Sequence, residues 1–315
     1  MRLTLALVAA IAICTPSLAE SIPLAGEPFH PGDSLIEWKA TNNLKALWVY
    51  KVIPQNLTSA VISNAMAVGS FKSLDMVKTE DKNVLRFQDH KKEESVTRYL
   101  EISPASGWIQ YYDSSQPTDV AASVQGVPDS TQAERLALEM LFKLGIDRTQ
   151  IASSPRPTGA MGISKVAPNG DEQFVGIQAR HIGLIRQIDG IPFSGNGVTG
   201  GFWIEFGSKA RIKQFELLWR NLVPYELRNV ASDSQLLDLI KKGKAVHPVD
   251  VDVKAAKKFT VKSIAPEYLG ALGSERQDFV YPVASLDVEA ETGTNKVAFT
   301  LMCPLFSGDE LHGRK

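Results

Sequence analysis

The residues of this chain that could do chemistry are five histidines, a turn serine, a glycine-rich run, a row of carboxylates and a lone mature cysteine. Metal hydrolysis would need ligands at helix or hairpin spacing. His30, His90, His181, His247 and His312 are scattered, with no HExxH and no Cys pair to complete a zinc site. His181 falls in a strand pattern and His247 precedes a proline, so structural or surface roles are expected for both. Acyl transfer would need an exposed nucleophile on a strand-to-helix elbow. Ser194, in Phe193-Ser194-Gly195-Asn196-Gly197, lacks the first glycine of that motif and its helix. Gly195 to Gly201 has the composition of a phosphate cradle, but an aromatic strand follows it where a helix would have to open. A hairpin tip is the expected structure.

Asp287, Glu289 and Glu291 alternate along one strand pattern, as the solvent side of a sheet does. Cys303, among Phe299, Leu301, Met302 and Leu305, reads as a buried thiol. No residue is therefore assigned a catalytic, cofactor-binding or metal-binding role, and no cofactor is expected. Binding chemistry is better represented. Trp48, Tyr50, Trp108, Tyr111, Tyr112, Phe202, Trp203, Phe215 and Trp219 all lie in strand-like runs. In strict alternation Ile109 and Tyr111 share one face while Trp108, Gln110 and Tyr112 share the other. Trp108, Tyr112 and Trp203, with Asn196 and Gly197 of the glycine-rich tip, are the candidate partner-binding residues. The partner expected is a protein or peptide, because a formal net charge of −1 gives no electrostatic case for nucleic acid.

These residues need elements to hold them. With 44% hydrophobic and 22% charged residues the composition is that of an ordinary globular chain. The spacing predicts helices over Leu57 to Val68, from a Thr131-Gln132-Ala133-Glu134 capping box to Leu144, and after Ser232 to Gly243. Between them lie strand patterns at 44–52, 83–87, 97–102, 108–112, 173–181, 200–207, 212–219, 258–264, 279–289 and 296–303, with an Asn169-Gly170 hairpin turn. The expected fold is α+β, built of consecutive modules of one helix packed on an antiparallel sheet. The expected boundaries are a lead-in over 20–43, modules over 44–125, 126–228 and 229–306, and a tail over 307–315.

One run is more specific. In Arg186-Gln187-Ile188-Asp189-Gly190-Ile191-Pro192-Phe193-Ser194-Gly195 an Asp-Gly turn step is followed by a proline and a glycine. This resembles the "NGIPV-x-G" hairpin of PepSY-like and YycI-like domains, and Asp278-Phe279-Val280-Tyr281-Pro282-Val283 is similar to their "hxxPVY" strand. The resemblance covers residues 129 to 306, and more loosely 44 to 113. It implies an extracytoplasmic, non-catalytic regulatory domain, one that modulates a peptidase or an envelope sensor. The alternatives are a secreted hydrolase whose active-site residues lie far apart in sequence, and a structural envelope component.

The compartment is read from the first nineteen residues. Arg2 precedes an apolar run from Leu3 to Ile13, and Ser17-Leu18-Ala19 places small residues where signal peptidase cuts. The run is too short to span a bilayer, which takes roughly 20 apolar residues. A lipid anchor at Cys14 is the weaker alternative, since Ile13 stands where a small residue is wanted. The expected location is secreted or periplasmic, with no membrane span. N-terminal sequencing of exported protein is expected to start at or near Glu20; soluble cytosolic protein with an intact Met1 would remove this assignment.

Overall fold

The computed structural model describes residues 22–25, 27–54, 57–90, 96–115, 119–153, 158–166, 171–194, 201–247, 253, 255–270, 277–306 and 311–314. Four helices are found among them. Helix α1 is Ser59–Val68, capped by Thr58, and α2 is Val120–Val124, capped by Asp119. Helix α3, Ser130–Lys143, starts earlier than its capping-box pattern implies. Asp129, directly after Pro128, accepts the Gln132 amide at 2.8 Å and takes the capping role assigned to Thr131. Helix α4, Asp233–Lys241, has a full capping box between Ser232 and Gln235. Gly145 and Gly243 follow the ends of α3 and α4 with φ of 84° and 69°.

Strands dominate, and their pairing overturns the expected fold class. One eight-stranded sheet runs in the order Met76–Val77, Leu85–Gln88, Arg98–Ser103, Trp108–Asp113, Ile212–Leu218, Gly201–Phe206, Glu172–Ile185, Thr158–Val166. Its centre is the antiparallel pairing of Trp108–Asp113 with Ile212–Leu218, in which Trp108 faces Leu218 and Tyr112 faces Gln214. Segments on either side of the 125/126 boundary thus complete one sheet. A second eight-stranded sheet is built on the long strand Lys258–Leu269, paired on one side with Pro282–Thr292. Its other edge is shared by two parallel partners, Leu35–Trp38 near the start and Ile191–Ser194 at the end. A third sheet of three strands joins Ala46–Ile53 to Asn221–Asn229 and Phe279–Val280. The molecule is mostly β, with large sheets assembled from distant segments. It is not a series of one-helix modules. The physical reason is that strands pair with partners far along the chain, as Trp108–Asp113 does with Ile212–Leu218, and periodicity within one module does not select those partners.

The cores follow from this pairing. Leu100, Ile102, Ile109, Tyr111, Ile182, Leu184, Phe202, Ile204, Phe215 and Leu217 line the inner face of the first sheet, against Ala133, Ala137, Met140, Leu141 and Leu144. Leu236 and Ile240 of α4 join Phe259, Val261, Leu286, Val288, Phe299 and Leu301 in the core of the second sheet, where burial pushes the Cys303 thiol up to about 12. The chain crosses between the two sheets at Arg186. The chain leaves Glu172–Ile185 at Arg186 and turns through Gln187–Ile188 and Ile191–Ser194 into the second sheet. Asp189 and Gly190 form the two-residue loop of that hairpin, with φ of 52° and 77°. Leu144 is 3% exposed. Leu144→Ala is expected to cost about 2–5 kcal/mol in a denaturant melt; a loss below about 0.5 kcal/mol would mean that this position does not hold α3 to the sheet.

Candidate functional site

The outer face of the first sheet, opposite α1 and α3, carries the polar and aromatic residues in register. Directly paired residues on antiparallel strands project from the same face. One row reads Arg86, Glu101, Gln110, Glu216, Trp203, Gly183 across six strands, and the next reads Gln88, Tyr99, Tyr112, Gln214, Glu205, His181. Trp108 stands beside them, paired with Ser103 and Leu218. Most of these side chains are half-buried or exposed, and Tyr112 is 39% exposed. The face is therefore a platform of packed stems with accessible tips.

Its interactions divide in two. At one end Arg86 pairs with Glu101 at 3.2 Å and lies over the Tyr99 ring at 4.9 Å, and Tyr99 packs against Tyr112 at 5.5 Å. Burial, with Glu101 nearby, raises the Tyr99 phenol above its ordinary value. At the other end Glu205 is a buried carboxylate surrounded by donors. Lys213 Nζ lies 2.9 Å from one oxygen, while Gln214 Nε2 donates to the other at 2.8 Å and His181 Nδ1 approaches it at 3.3 Å. Trp203 stacks on the His181 ring, centroids 5.6 Å apart and planes 15° from parallel. Gly159, across from His181, leaves room for that ring: a Cβ there would stand 3.3 Å from it. Between the two ends is Glu216. It accepts the Trp108 indole N–H at 2.9 Å, and no lysine or arginine among the described residues pairs with it.

The structure thus brings Trp108, Tyr112 and Trp203 onto one face. The other two candidate residues, Asn196 and Gly197, lie outside the described residues. The remaining aromatic runs sort by face: Tyr50, Tyr111, Phe202, Phe215 and Trp219 are buried, whereas Trp48 is 37% exposed on the third sheet. Sequence reasoning missed Glu216, Glu205 and the placement of His181 on the platform. A signal was present, since Gln214 and Glu216 alternate with the apolar Phe215 and Leu217.

The carboxylates of the second sheet are engaged locally. Asp287 accepts from the Ser263 hydroxyl, Glu289 from Lys262 at 2.5 Å and Lys296 at 2.8 Å, and Glu291 lies 3.5 Å from Lys258. The hydrogen bonds from Lys262 and then Lys296 lower the Glu289 carboxyl to about 2. Because the folded value lies below its ordinary 4.5, the contribution of these pairs is complete above that pH and fades as pH falls toward 2. Carbon-detected NMR titration is expected to place Glu289 near 2, and to move it upward in Lys262→Ala and further in Lys262→Ala/Lys296→Ala. An unmoved titration would show that the lysines do not hold it.

No family model matches the chain, and no curated protein matches it. Among solved structures it is similar to the crystal structure of an uncharacterized protein from Eubacterium rectale, at 14% identity over 89% of this chain and 90% of that one, with a TM-score of 0.48.

Proposed function

We propose that this chain is a non-catalytic binding protein acting outside the cytoplasm, and that the outer face of its first sheet captures a protein or peptide segment through a lysine or arginine side chain. The observation that carries this reading is Glu216, a carboxylate with an indole N–H as its donor and no cation paired to it among the described residues, set beside Trp108 and cross-strand from Trp203. An incoming ammonium or guanidinium would gain a charge-assisted hydrogen bond from Glu216 and the faces of neighbouring rings. Tyr112 and Tyr99 extend the apolar surface available to the rest of the segment. The signal-like first nineteen residues support the location, and the resemblance to PepSY-like and YycI-like hairpins supports a regulatory role.

A random-peptide selection against the full chain is expected to enrich segments with a lysine or arginine flanked by apolar residues. Glu216→Gln and Trp203→Ala should each weaken the selected peptides about tenfold, roughly 1.4 kcal/mol, while the melting temperature stays close to that of the parent. Selected peptides without basic residues, or equal binding to a Trp108→Ala/Tyr112→Ala/Glu216→Gln variant that remains folded, would remove the face from the function.

A further inference from the structure

A second surface lies at the edge of the first sheet. Thr158–Val166 is its last strand, paired among the described residues only with Glu172–Ile185. A sheet edge presents unpaired N–H and C=O groups, a template for another strand unless the edge is short, bulged, charged or broken by proline. The other terminal strands among the described residues are two to four residues long or, at Asn221–Asn229, carry Pro224 and a bulge. Thr158–Val166 has nine residues, no proline and a single charge, and none of its residues is buried. Both register shifts in its pairing fall on Glu172–Ile185, at Val175 and Gln178, so the edge strand itself runs without a break. Met161 is 41% exposed and Val166 75%.

The order of residues along this edge decides what it matches. Gly159 pairs with His181 of the outer face, so Gly159, Met161, Ile163 and Lys165 project on that side. A two-fold axis through Gly162 would set two copies of the strand antiparallel with all nine residues paired. Met161 then lies opposite Ile163 of the second copy at two symmetric positions, an apolar cluster of four side chains. Lys165 lies opposite Gly159, so no like charges meet. Moving the axis to Met161 or Ile163 leaves two residues of each strand unpaired, and the second choice sets Met161 against Lys165. The edge is complementary to itself.

We infer that Thr158–Val166 joins two copies of this chain into an antiparallel dimer in which their eight-stranded sheets become continuous. Strand pairing alone buries less than a standard interface, so the dimer is reversible and depends on concentration. It does not depend on what the platform captures, and it sets both platforms on the same side of the joined sheet.

Sedimentation equilibrium of the full chain over a concentration series tests this, the mass rising from one copy to two. Met161→Lys/Ile163→Lys sets lysine against lysine and should weaken the dimer at least tenfold; Met161→Glu/Ile163→Glu should do the same. Mixing the two variants should restore a dimer containing one copy of each, which misfolded chains would not form. Register is read with cysteines in a Cys14→Ser background, Cys303 being buried. Met161→Cys mixed with Ile163→Cys should cross-link under mild oxidation, whereas neither should cross-link with itself, because like positions stand diagonally beyond disulfide reach. A monomer at every concentration, a dimer indifferent to the lysine or glutamate pair, no mixed dimer, or Met161→Cys cross-linking with itself would each overturn the assignment.

Discussion

The arginine at the sheet crossing is the constraint on which the architecture depends. Two chain segments change sheets side by side: the first sheet's long strand ends at Arg186, and Ile212–Leu218 passes through Trp219 and Arg220 into the third sheet. Both would leave backbone polar groups without a strand partner. The Phe193 amide donates to the Arg186 carbonyl at 2.8 Å, the Arg186 guanidinium closes on the Arg220 carbonyl, and Ile151, which follows α3 in the chain, bridges to Arg186. Desolvating a guanidinium costs several kcal/mol. The faces of Phe193 and Trp219, 5.2 and 5.3 Å from the Arg186 guanidinium, return on the order of 2 kcal/mol each when desolvated, and the charged donor to a carbonyl adds about 1.5–3. Those terms nearly offset the cost, and they do so only with Phe193 and Trp219 both in place.

The apolar inner face of the first sheet sets the register that makes the platform. Glu216 faces Trp203 only if Gly201–Phe206 and Ile212–Leu218 pair without slippage, and a slip of one residue would send Phe215 outward and Glu216 into the core. That core penalty, several fully buried large side chains on each strand, far exceeds any single contact on the outer face. The inner face therefore decides the alignment, and the outer residues are free to be chosen for binding. Glu205 is consistent with this division. It is buried on the binding side and needs lysine, glutamine and histidine around it, whereas Glu216 needs only an indole.

Local periodicity made most elements legible and their partners illegible. Alternation in Trp108-Ile109-Gln110-Tyr111-Tyr112 assigned each ring to the face on which it is found, and Asp-Gly identified the hairpin loop. These depend on neighbours within four residues. The pairing of Trp108 with Leu218 depends on closing a loop of over a hundred residues, a choice that no window of the sequence contains. Reading helix and strand patterns as sequential neighbours produced the modular fold that the topology corrects. Asn221–Asn229 was overlooked for a local reason: Pro224 lies inside it, and a bulge between Pro224 and Glu226 accommodates the missing donor. Arg186 stood at the head of the most specific run, yet nothing in its neighbours marks a buried cation.

The same hairpin shows how one residue type satisfies two constraints at once. A two-residue loop with both φ values positive favours glycine, asparagine or aspartate at its first position. Asp189 adopts that conformation, and its carboxylate accepts the Tyr50 hydroxyl at 2.6 Å from the third sheet. Burial and then this carboxylate raise the Tyr50 phenol, so the hydrogen stays on tyrosine and the bond keeps its direction. Tyr268 of the second sheet packs edge-on against Tyr50 and donates to the Trp48 carbonyl at 3.0 Å. The substitution Asp189→Asn would keep the turn but exchange a charge-assisted acceptor for a neutral one, and Asp189→Gly would keep only the turn. Three sheets are thus tied within a few residues of the arginine clamp, and these contacts offset the cost of leaving its buried Nε without an acceptor.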